Sequence, residues 1–370
     1  MSTDETFEET DLRVLMGSSD ATAEARRQLE ICNACRYCEG YCSVFPAMTL
    51  HRAFADGEIT QLANLCHNCR GCFYACQYTE PHEFKINLPQ ALAEVRVESW
   101  ENFIFPSRVA HLFQKNGVVL AAALLTALSI IFAVAYAIRP EGGVGFYAVI
   151  SHAVMASIFT GATFLPAGIV AAGLWRYWRH VGGERVRLAD LRQAFVDAAK
   201  LKNLSGGAAD GCNYEQEDRF TQARRYAHQA VMYGFLLCFA STASGTLLHY
   251  GFGLEAPYGP LSLPKLFGVP GGILLTLGGI ALIALKTRAD KALGAPAAWG
   301  AEMAFVVLLT LAGATGLALY WTTGTPLVRP ILTTHLGSVL ALFLTLPYTK
   351  MVHIFFRLAA LVRDAQTRRN

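Results

Sequence analysis

Long apolar stretches alternate with short polar segments along most of the chain after residue 116. A helix needs about 20 mostly apolar residues to cross the hydrocarbon core of a bilayer, and each stretch is long enough. The stretches lie near 117–138, 147–174, 227–250, 265–285, 303–322 and 331–358. The pattern predicts six transmembrane helices. The last stretch contains Pro347 and Lys350, which predict a kink or an early exit from the hydrocarbon near its end.

Composition excludes the two or three soluble domains that 370 residues could otherwise form. Hydrophobic residues make up 53% of the chain, charged residues only 16%, and the mean hydropathy is +0.33. The 31 Lys and Arg and 28 Asp and Glu are unevenly distributed, because residues 1–116 hold 10 basic and 16 acidic side chains. An acidic N-terminal part disfavours nucleic acid as a partner.

Basic residues predict the topology, since cytoplasmic loops of membrane proteins are enriched in Lys and Arg. The 175–225 segment carries ten, the 286–302 loop three and the tail from Lys350 five. The opposite loops carry only Arg139, Lys265 and Arg329. The first residues show no secretory signal. We therefore expect a multi-pass protein of the bacterial inner membrane, with both termini and the N-terminal domain in the cytoplasm.

Three regions are predicted along the chain. Residues 1–30 form a polar tail, with a helical pattern from about Ala21. Residues 31–105 form a cytoplasmic domain, and 106–370 form the membrane domain, which includes a cytoplasmic linker at 175–225. Glycines in the fourth span are typical of close helix packing. They are Gly271, Gly272, Gly278 and Gly279.

Eight of the ten cysteines fall in two repeats of C-x2-C-x2-C-x3-C. In ferredoxins that bind two clusters, three cysteines of such a run hold one 4Fe-4S cluster and the fourth ligates the other. The spacing predicts two 4Fe-4S clusters with crossed ligands. One would be held by Cys32, Cys35, Cys38 and Cys76, and the other by Cys66, Cys69, Cys72 and Cys42.

Zinc is the alternative, but structural zinc sites use paired C-x2-C units rather than a run of four. Ser43 and Gln77 stand where bacterial ferredoxins usually have proline, which weakens the analogy of fold more than the cluster assignment. His67 lies inside the second run and is expected to support the cluster or face the surface, since four thiolates are already present.

Histidines mark the ends of several spans, and ionisable residues there are functional candidates. His228 opens and His249 closes the third span. His335 opens the sixth and His353 lies near its end. In one continuous helix, His335 and His353 would lie on the same face, with their rings about 27 Å apart along the helix axis. With the third and sixth spans antiparallel and adjacent, His228 would face His353, and His249 would face His335.

Two facing pairs at two depths are what bis-histidine haem b requires. Two haems, one haem and no haem all remain open, and His152 is an alternative outer ligand. No C-x-x-C-H is present, which excludes attached c-type haem. We expect a mainly α fold: a small ferredoxin-like, helical two-cluster iron–sulfur domain followed by a six-helix transmembrane cytochrome b-type bundle.

The chain resembles the tricarballylate utilisation protein B family, also called the citrate utilisation protein B family. The resemblance covers nearly the whole chain from about residue 25. It is carried by the double cysteine run, by ARRYAHQAVMYGFLLCFASTASGTLLHY in the third span and by THLGSVLALFLTLPYTKMVHIFFR in the sixth. It implies a membrane partner of an FAD-dependent tricarballylate dehydrogenase, which converts tricarballylate to cis-aconitate. Such a protein reoxidises the flavin through iron–sulfur clusters and haem b and passes electrons to the quinone pool.

Two other functions fit the same residues. In the first, quinol drives electrons toward a cytoplasmic reductase of the heterodisulfide reductase kind, because ligand identity sets redox potentials only within a wide range. In the second, the protein is an iron–sulfur membrane anchor or redox sensor with structural histidines. No residue pattern locates a quinone site, although His111, Tyr348 and Lys350 lie near the predicted cytoplasmic interface.

Overall fold

The computed structural model describes residues 19–42, 44–137, 151–204, 220–254, 256 and 258–369, without the side chains of Tyr136 and His152. These residues are mainly helical and contain no strand. The ends of the first two predicted spans that fall within 138–150 lie outside the described residues.

Helix α1, Asp20–Cys35, opens the N-terminal domain. Ser19 caps it by accepting a 3.1 Å hydrogen bond from the backbone N–H of Thr22. Ala25 and Leu29 are buried in the domain core, so this part of the predicted tail is an integral helix. The helix ends at Arg36, whose φ of 55° turns the chain toward the next cysteines.

The rest of the domain consists of short helices joined by cysteine-bearing turns. They are α2 (Phe45–Met48), α3 (Asp56–Leu65), α4 (Gly71–Tyr74) and α5 (Leu88–Phe103). The α5 helix packs against both α1 and α3. The side chain of Asn87 caps α5 by accepting from the backbone N–H of Gln90. The cysteines thus lie in these turns and in the helix ends beside them, supported by the packing of α5 on α1 and α3.

Six helices in the described residues are long and apolar enough to cross a membrane, as predicted. The helices are α6 (Ser107–Ala137), α7 (His152–His180), α9 (Ala223–Phe252), α10 (Leu263–Arg288), α11 (Trp299–Thr322) and α12 (Val328–Thr345). Helix α8, Leu188–Ala199, lies between α7 and α9 within the predicted linker.

The predicted close packing through glycines is confirmed. A Cβ at Gly271 or Gly278 of α10 would lie 2.8–2.9 Å from atoms of α9, a distance that real Cβ contacts do not reach. Gly272 and Gly279 meet α11 in the same way. Small residues let helix backbones approach closely inside a bilayer. Helix α10 is therefore held between α9 and α11.

The sixth span is broken near its end, which confirms the predicted kink. Helix α12 ends at Thr345, two 3₁₀ turns follow (Leu346–Tyr348 and Lys350–Val352), and α13 runs over His353–Arg369. Pro347 cannot donate a backbone hydrogen bond and its ring clashes with the preceding turn, which ends the helix here. The prediction of a single helix over 331–358 is thus wrong. His335 and His353 therefore do not lie on one face of one helix about 27 Å apart.

One hydrophobic core joins the N-terminal domain to the ends of α7 and α13. Phe103, Tyr177 and Phe356 contribute one ring each from α5, α7 and α13. The ring centroids of Phe103 and Tyr177 are 5.8 Å apart, and those of Tyr177 and Phe356 are 5.2 Å apart. Such aromatic contacts add to the stabilisation from burial. The cysteine domain therefore rests directly on the membrane helices.

Candidate iron–sulfur and haem sites

The first group of cysteines lines one cavity. Cys32 and Cys35 come from the last turn of α1, Cys38 from the turn that follows it, and Cys76 from the turn after α4. All four line the cavity together with Tyr37 and Ile86. Three cysteines of the first repeat thus meet the fourth cysteine of the second repeat, which is the crossed arrangement of two-cluster ferredoxins.

The thiols of this group disfavour one another's ionisation. Burial, followed by the nearby thiols, raises the pKa of Cys32, and the same causes raise the pKa of Cys38 to about 12. Thiolates are the form that ligates metal, so four of them at close range need compensating positive charge. Cluster iron supplies such charge, and the donor set therefore fits a 4Fe-4S cluster.

The second group combines Cys66, Cys69 and Cys72 with Cys42. The Cys72 thiol lies in hydrogen-bonding contact with that of Cys42, and this contact, with burial, raises the pKa of Cys72. Burial also raises the pKa of Cys66, against the opposing charge of Arg96. These four cysteines again come three from one repeat and one from the other. Within the described residues, no three His, Cys, Asp or Glu side chains converge closely enough to hold a single metal ion.

The loop around the second group is shaped by backbone conformation. Asn68 and Arg70 have positive φ values of 53° and 70°, which non-glycine residues adopt rarely. The turn directs the backbone N–H of Asn68 to the Cys66 sulfur at 3.4 Å. Hydrogen bonds to cluster sulfur are among the features that set cluster potentials. His67 is buried rather than at the surface, and its Nδ1 lies 3.0 Å from the Leu65 carbonyl oxygen.

Arginines tie this loop to the membrane helices. Arg357 of α13 donates to the carbonyl oxygen of Cys66 at 2.8 Å and to that of Asn64 at 3.2 Å. Arg224 of α9 donates to the carbonyl oxygens of Asn68, at 2.6 Å, and His67, at 3.2 Å. Hydrogen bonds from charged donors are stronger than neutral ones. The second cysteine group is therefore fixed to the starts of α9 and α13.

His228 and His353 lie near the starts of the same two helices, α9 and α13. Their ring centroids are 6.1 Å apart and their planes are nearly perpendicular, at 85°. His353 donates from Nδ1 to the Lys350 carbonyl oxygen, which leaves Nε2 as the nitrogen that could bind a metal. A backbone carbonyl on the other ring nitrogen is the usual arrangement of a ligating histidine. Burial, followed by the charge of Arg357, holds the pKa of His353 well below its ordinary value, so the ring is neutral.

The spacing of this pair can be compared with that of two imidazoles that would hold one haem iron. A metal–imidazole bond is roughly 2 Å long, so two imidazoles on opposite sides of one iron have ring centroids about 6 Å apart. The buried Nδ1 of His228 has no hydrogen-bond partner among the described residues. Trp100 lies beside the pair, with its ring centroid 6.5 Å from that of His353. The observed 6.1 Å between the ring centroids fits two imidazoles that would hold one iron between them.

The predicted outer pair is placed differently. His335 turns toward α11, where its Nδ1 lies 3.0 Å from Thr315 Oγ1 and its ring packs against Gly316. The ring of His249 lies beside that of Tyr250. Helix α9 packs along α10, whereas α12 packs against α6, α7 and α11. The two helices are thus not each other's main packing partners, contrary to the expected adjacency. The side chain of His152 lies outside the described residues.

Sequence reasoning missed a charged cluster centred on Glu302. Its carboxylate lies 2.5 Å from Lys286 Nζ and 2.8 Å from Lys350 Nζ, and all three side chains are largely buried. Burial is the largest influence on Lys350 and lowers its pKa to about 7. The sequence did contain an indication of this cluster: an acidic residue at the start of one apolar span and lysines at the ends of two others. The cluster holds the Lys350 turn, whose carbonyl orients His353.

Helical architecture and these two groups of cysteines define a mainly helical, multi-pass membrane protein with a ferredoxin-related N-terminal domain. Two family models match: Citrate utilization protein B over residues 107–370, and the Citrate utilization protein B Fer4-like domain over residues 25–102. The Citrate utilization protein B of Escherichia coli is 40% identical over 356 residues, which cover 95% of this chain and 94% of that protein. The chain belongs to the citrate utilization protein B family, as its sequence predicted. No solved structure matches it.

Proposed function

We propose that this protein carries electrons from a soluble flavoprotein dehydrogenase to membrane quinone, through two 4Fe-4S clusters and haem b. The observation that carries the proposal is the contiguity of the second cysteine group with the histidine pair. Arg357 contacts the Cys66 carbonyl and lies one helical turn after His353. The second cysteine group, the proposed electron donor, thus lies next to the His228 and His353 pair, the proposed haem site, at the junction of the two domains.

Electrons enter at the first cysteine group. Tyr37 lines its cavity and is 64% exposed, and Arg36 beside it is also exposed. The second group lies deeper, against α9 and α13. A soluble donor therefore reaches the first cluster, which passes electrons to the second and then to the membrane part.

The residues of this chain hold and orient the cofactors. The two crossed sets of cysteines would hold the clusters, and His228 and His353 would hold the haem iron. Bound haem supplies one-electron redox chemistry at the membrane end of the cluster chain. The Lys350 carbonyl holds the His353 ring in the tautomer whose Nε2 can bind iron.

A second haem between His249 and His335 is supported by the sequence pattern alone. His335 has its Nδ1 near Thr315, which leaves Nε2 as its ligating atom. Two haems per chain would establish this outer site, with His152 as the alternative ligand. One haem per chain would restrict haem to the His228 and His353 pair.

The partner and the location follow from family membership and topology. The relative from Escherichia coli is named for citrate utilization, and we infer an FAD-dependent dehydrogenase of the tricarballylate type as the electron donor. FAD resides on that partner only. The distribution of basic residues supports the bacterial inner membrane, with the cysteine domain and both termini in the cytoplasm.

The experiment follows electrons through the purified protein. The chain is reduced anaerobically with dithionite, excess reductant is removed, and ubiquinone-1 is added while cluster and haem absorbance are recorded. Both signals should reoxidise in the wild type. In His353→Ala the clusters should still be reduced by dithionite but should reoxidise much more slowly. Absence of quinone-dependent reoxidation in the wild type would contradict the proposal.

A further inference from the structure

A cleft lined by polar side chains and apolar surface lies at the junction of α5 and α6, where the chain enters the first membrane-spanning helix. It is lined by Glu101, Asn102, Ser107, Arg108, His111 and Lys115, with Leu112 as an apolar wall. Neither the clusters nor the histidine pair uses these side chains. The cleft therefore needs its own explanation.

The most specific feature of the cleft is a carboxylate–imidazole pair. Glu101 Oε2 lies 3.2 Å from His111 Nδ1. The Glu101 side chain is 19% exposed, whereas that of His111 is 70% exposed. The carboxylate thus forms the inner wall and the imidazole projects into the opening. With Nδ1 engaged by Glu101, Nε2 is the nitrogen that can meet a ligand, as in catalytic histidines oriented by a carboxylate.

The cleft is also close to the His228 and His353 pair, the proposed haem site. Trp100, directly before Glu101, has its ring 6.5 Å from that of His353. The Tyr348 hydroxyl donates to the Phe105 carbonyl oxygen at 3.2 Å, which ties the break after α12 to the rim of the cleft. Phe105 and Leu112 expose apolar surface beside the polar groups. A ligand with a polar head and an apolar tail would match both kinds of surface.

We propose that this cleft binds the headgroup of a quinone and is where the protein reduces it. The inference rests on the proposed function and names the acceptor site of that reaction. Arg108 and His111 lie three residues apart on α6, so they share a face and can donate to the two carbonyl oxygens of one ring.

Reduction of a quinone to a quinol takes two electrons and two protons. Two electrons reach the quinone one at a time from the cluster and haem chain, which is oxidised by the same number. His111 gives one proton from Nε2 to a carbonyl oxygen and recovers it from water, while Glu101 holds the ring through Nδ1. A second proton reaches the other oxygen from water. The product is the quinol, which leaves along the apolar side of the cleft.

An anionic phospholipid headgroup is the competing occupant, because Arg108 and Lys115 would attract phosphate. The Glu101 carboxylate opposes that binding, since a negative charge in the wall repels a phosphate. A neutral quinone has no such penalty. The carboxylate therefore favours quinone.

The test uses the full-length protein with its cofactors, reduced by dithionite and reoxidised by ubiquinone-1 or by ferricyanide. Ferricyanide takes electrons without a proton and without a shaped site. In Glu101→Gln and His111→Gln, quinone-dependent reoxidation should slow by roughly a hundredfold or more, the range of a lost general acid. Ferricyanide oxidation and cofactor spectra should be unchanged. Arg108→Gln should raise the quinone concentration for half-maximal rate.

Glu94→Gln is the matched control, since Glu94 lies on α5 and accepts from Gln90 away from the cleft. Wild-type rates with quinone in all three cleft variants would overturn the inference, even if the electron-transfer function stands. Loss of copurifying anionic phospholipid with unchanged quinone rates would assign the cleft to lipid and also overturn it. A wild type that ferricyanide oxidises but quinone does not would instead contradict the proposed function.

Discussion

Arg357 donates a 2.8 Å hydrogen bond to the carbonyl oxygen of Cys66, from a position one turn beyond His353. Residues far apart in sequence are thereby held at one junction between the cysteine domain and the membrane helices. Burial and the neighbouring Arg96 lower the pKa of Arg357 to about 9, which leaves the guanidinium charged at neutral pH. The contact places the loop of the second cysteine group beside the start of the helix that carries His353.

Replacing Arg357 should loosen this junction. In Arg357→Gln the carbonyl oxygens of Cys66 and Asn64 lose a charged donor, at about 1–3 kcal/mol. Thermal unfolding in detergent should therefore begin at a lower temperature, and haem reduction after cluster reduction should slow. Arg368→Gln is the control, because Arg368 is half-exposed and pairs with Asp364 within its own helix. Equal unfolding temperatures for the two variants would contradict the proposed role of the contact.

Two serine substitutions distinguish the crossed cluster ligands. Cys76→Ser should perturb the cluster of the first cysteine group, and Cys42→Ser that of the second, because each lies with three cysteines of the other repeat. Electron paramagnetic resonance of the reduced protein would show which cluster changes. Cys42→Ser should also block electron transfer to haem while the first cluster is still reduced. If Cys76→Ser altered the same cluster as Cys66→Ser, ligation would be uncrossed.

Glu302 should be essential for stability. Glu302→Gln leaves the buried ammonium groups of Lys286 and Lys350 without their shared counter-charge, and breaking a buried ion pair costs about 3–5 kcal/mol. We expect a large fall in the unfolding temperature. Lys286→Gln removes only one of the two lysines and should have a smaller effect. An unfolding temperature within error of the wild type for Glu302→Gln would show that the cluster is not stabilising.

A single methyl group should separate α9 from α10. A Cβ at Gly234 would lie 2.5 Å from the backbone nitrogen of Leu275, so Gly234→Ala forces the helices apart. The yield of monodisperse protein should fall. Gly161→Ala, on α7, is the matched control because nothing lies within 4 Å of its added Cβ. Similar yields for both variants would contradict the packing assigned to Gly234.

The sequence is most informative about features that depend on residues close together in the chain. The six apolar stretches predicted six long apolar helices because span length is set by bilayer thickness. Cysteine spacing predicted two clusters with crossed ligands from a rule of ligand geometry. The ligation stays a prediction, although Cys32, Cys35, Cys38 and Cys76 line one cavity. His228 and His353 were paired by assuming antiparallel spans, and their rings do lie 6.1 Å apart.

The remaining features depend on tertiary packing. Pro347 indicated a kink, but where α13 begins is decided by packing of Phe356 on Phe103 and Tyr177. The outer histidines were paired from the same assumption of adjacent antiparallel spans, but α9 packs along α10, whereas α12 packs against α6, α7 and α11. The orientation of His335 toward Thr315 depends on α11 packing against α12, which no periodicity within one helix reveals.

Reduced-minus-oxidised difference spectra of the wild type, His228→Ala and His353→Ala test the central claim most directly. The account predicts a b-type α band in the wild type and its loss, or the loss of one haem, in both variants, with the iron–sulfur signals retained. A wild type without this band, or a band that neither substitution changes, would contradict the haem link between the clusters and the membrane.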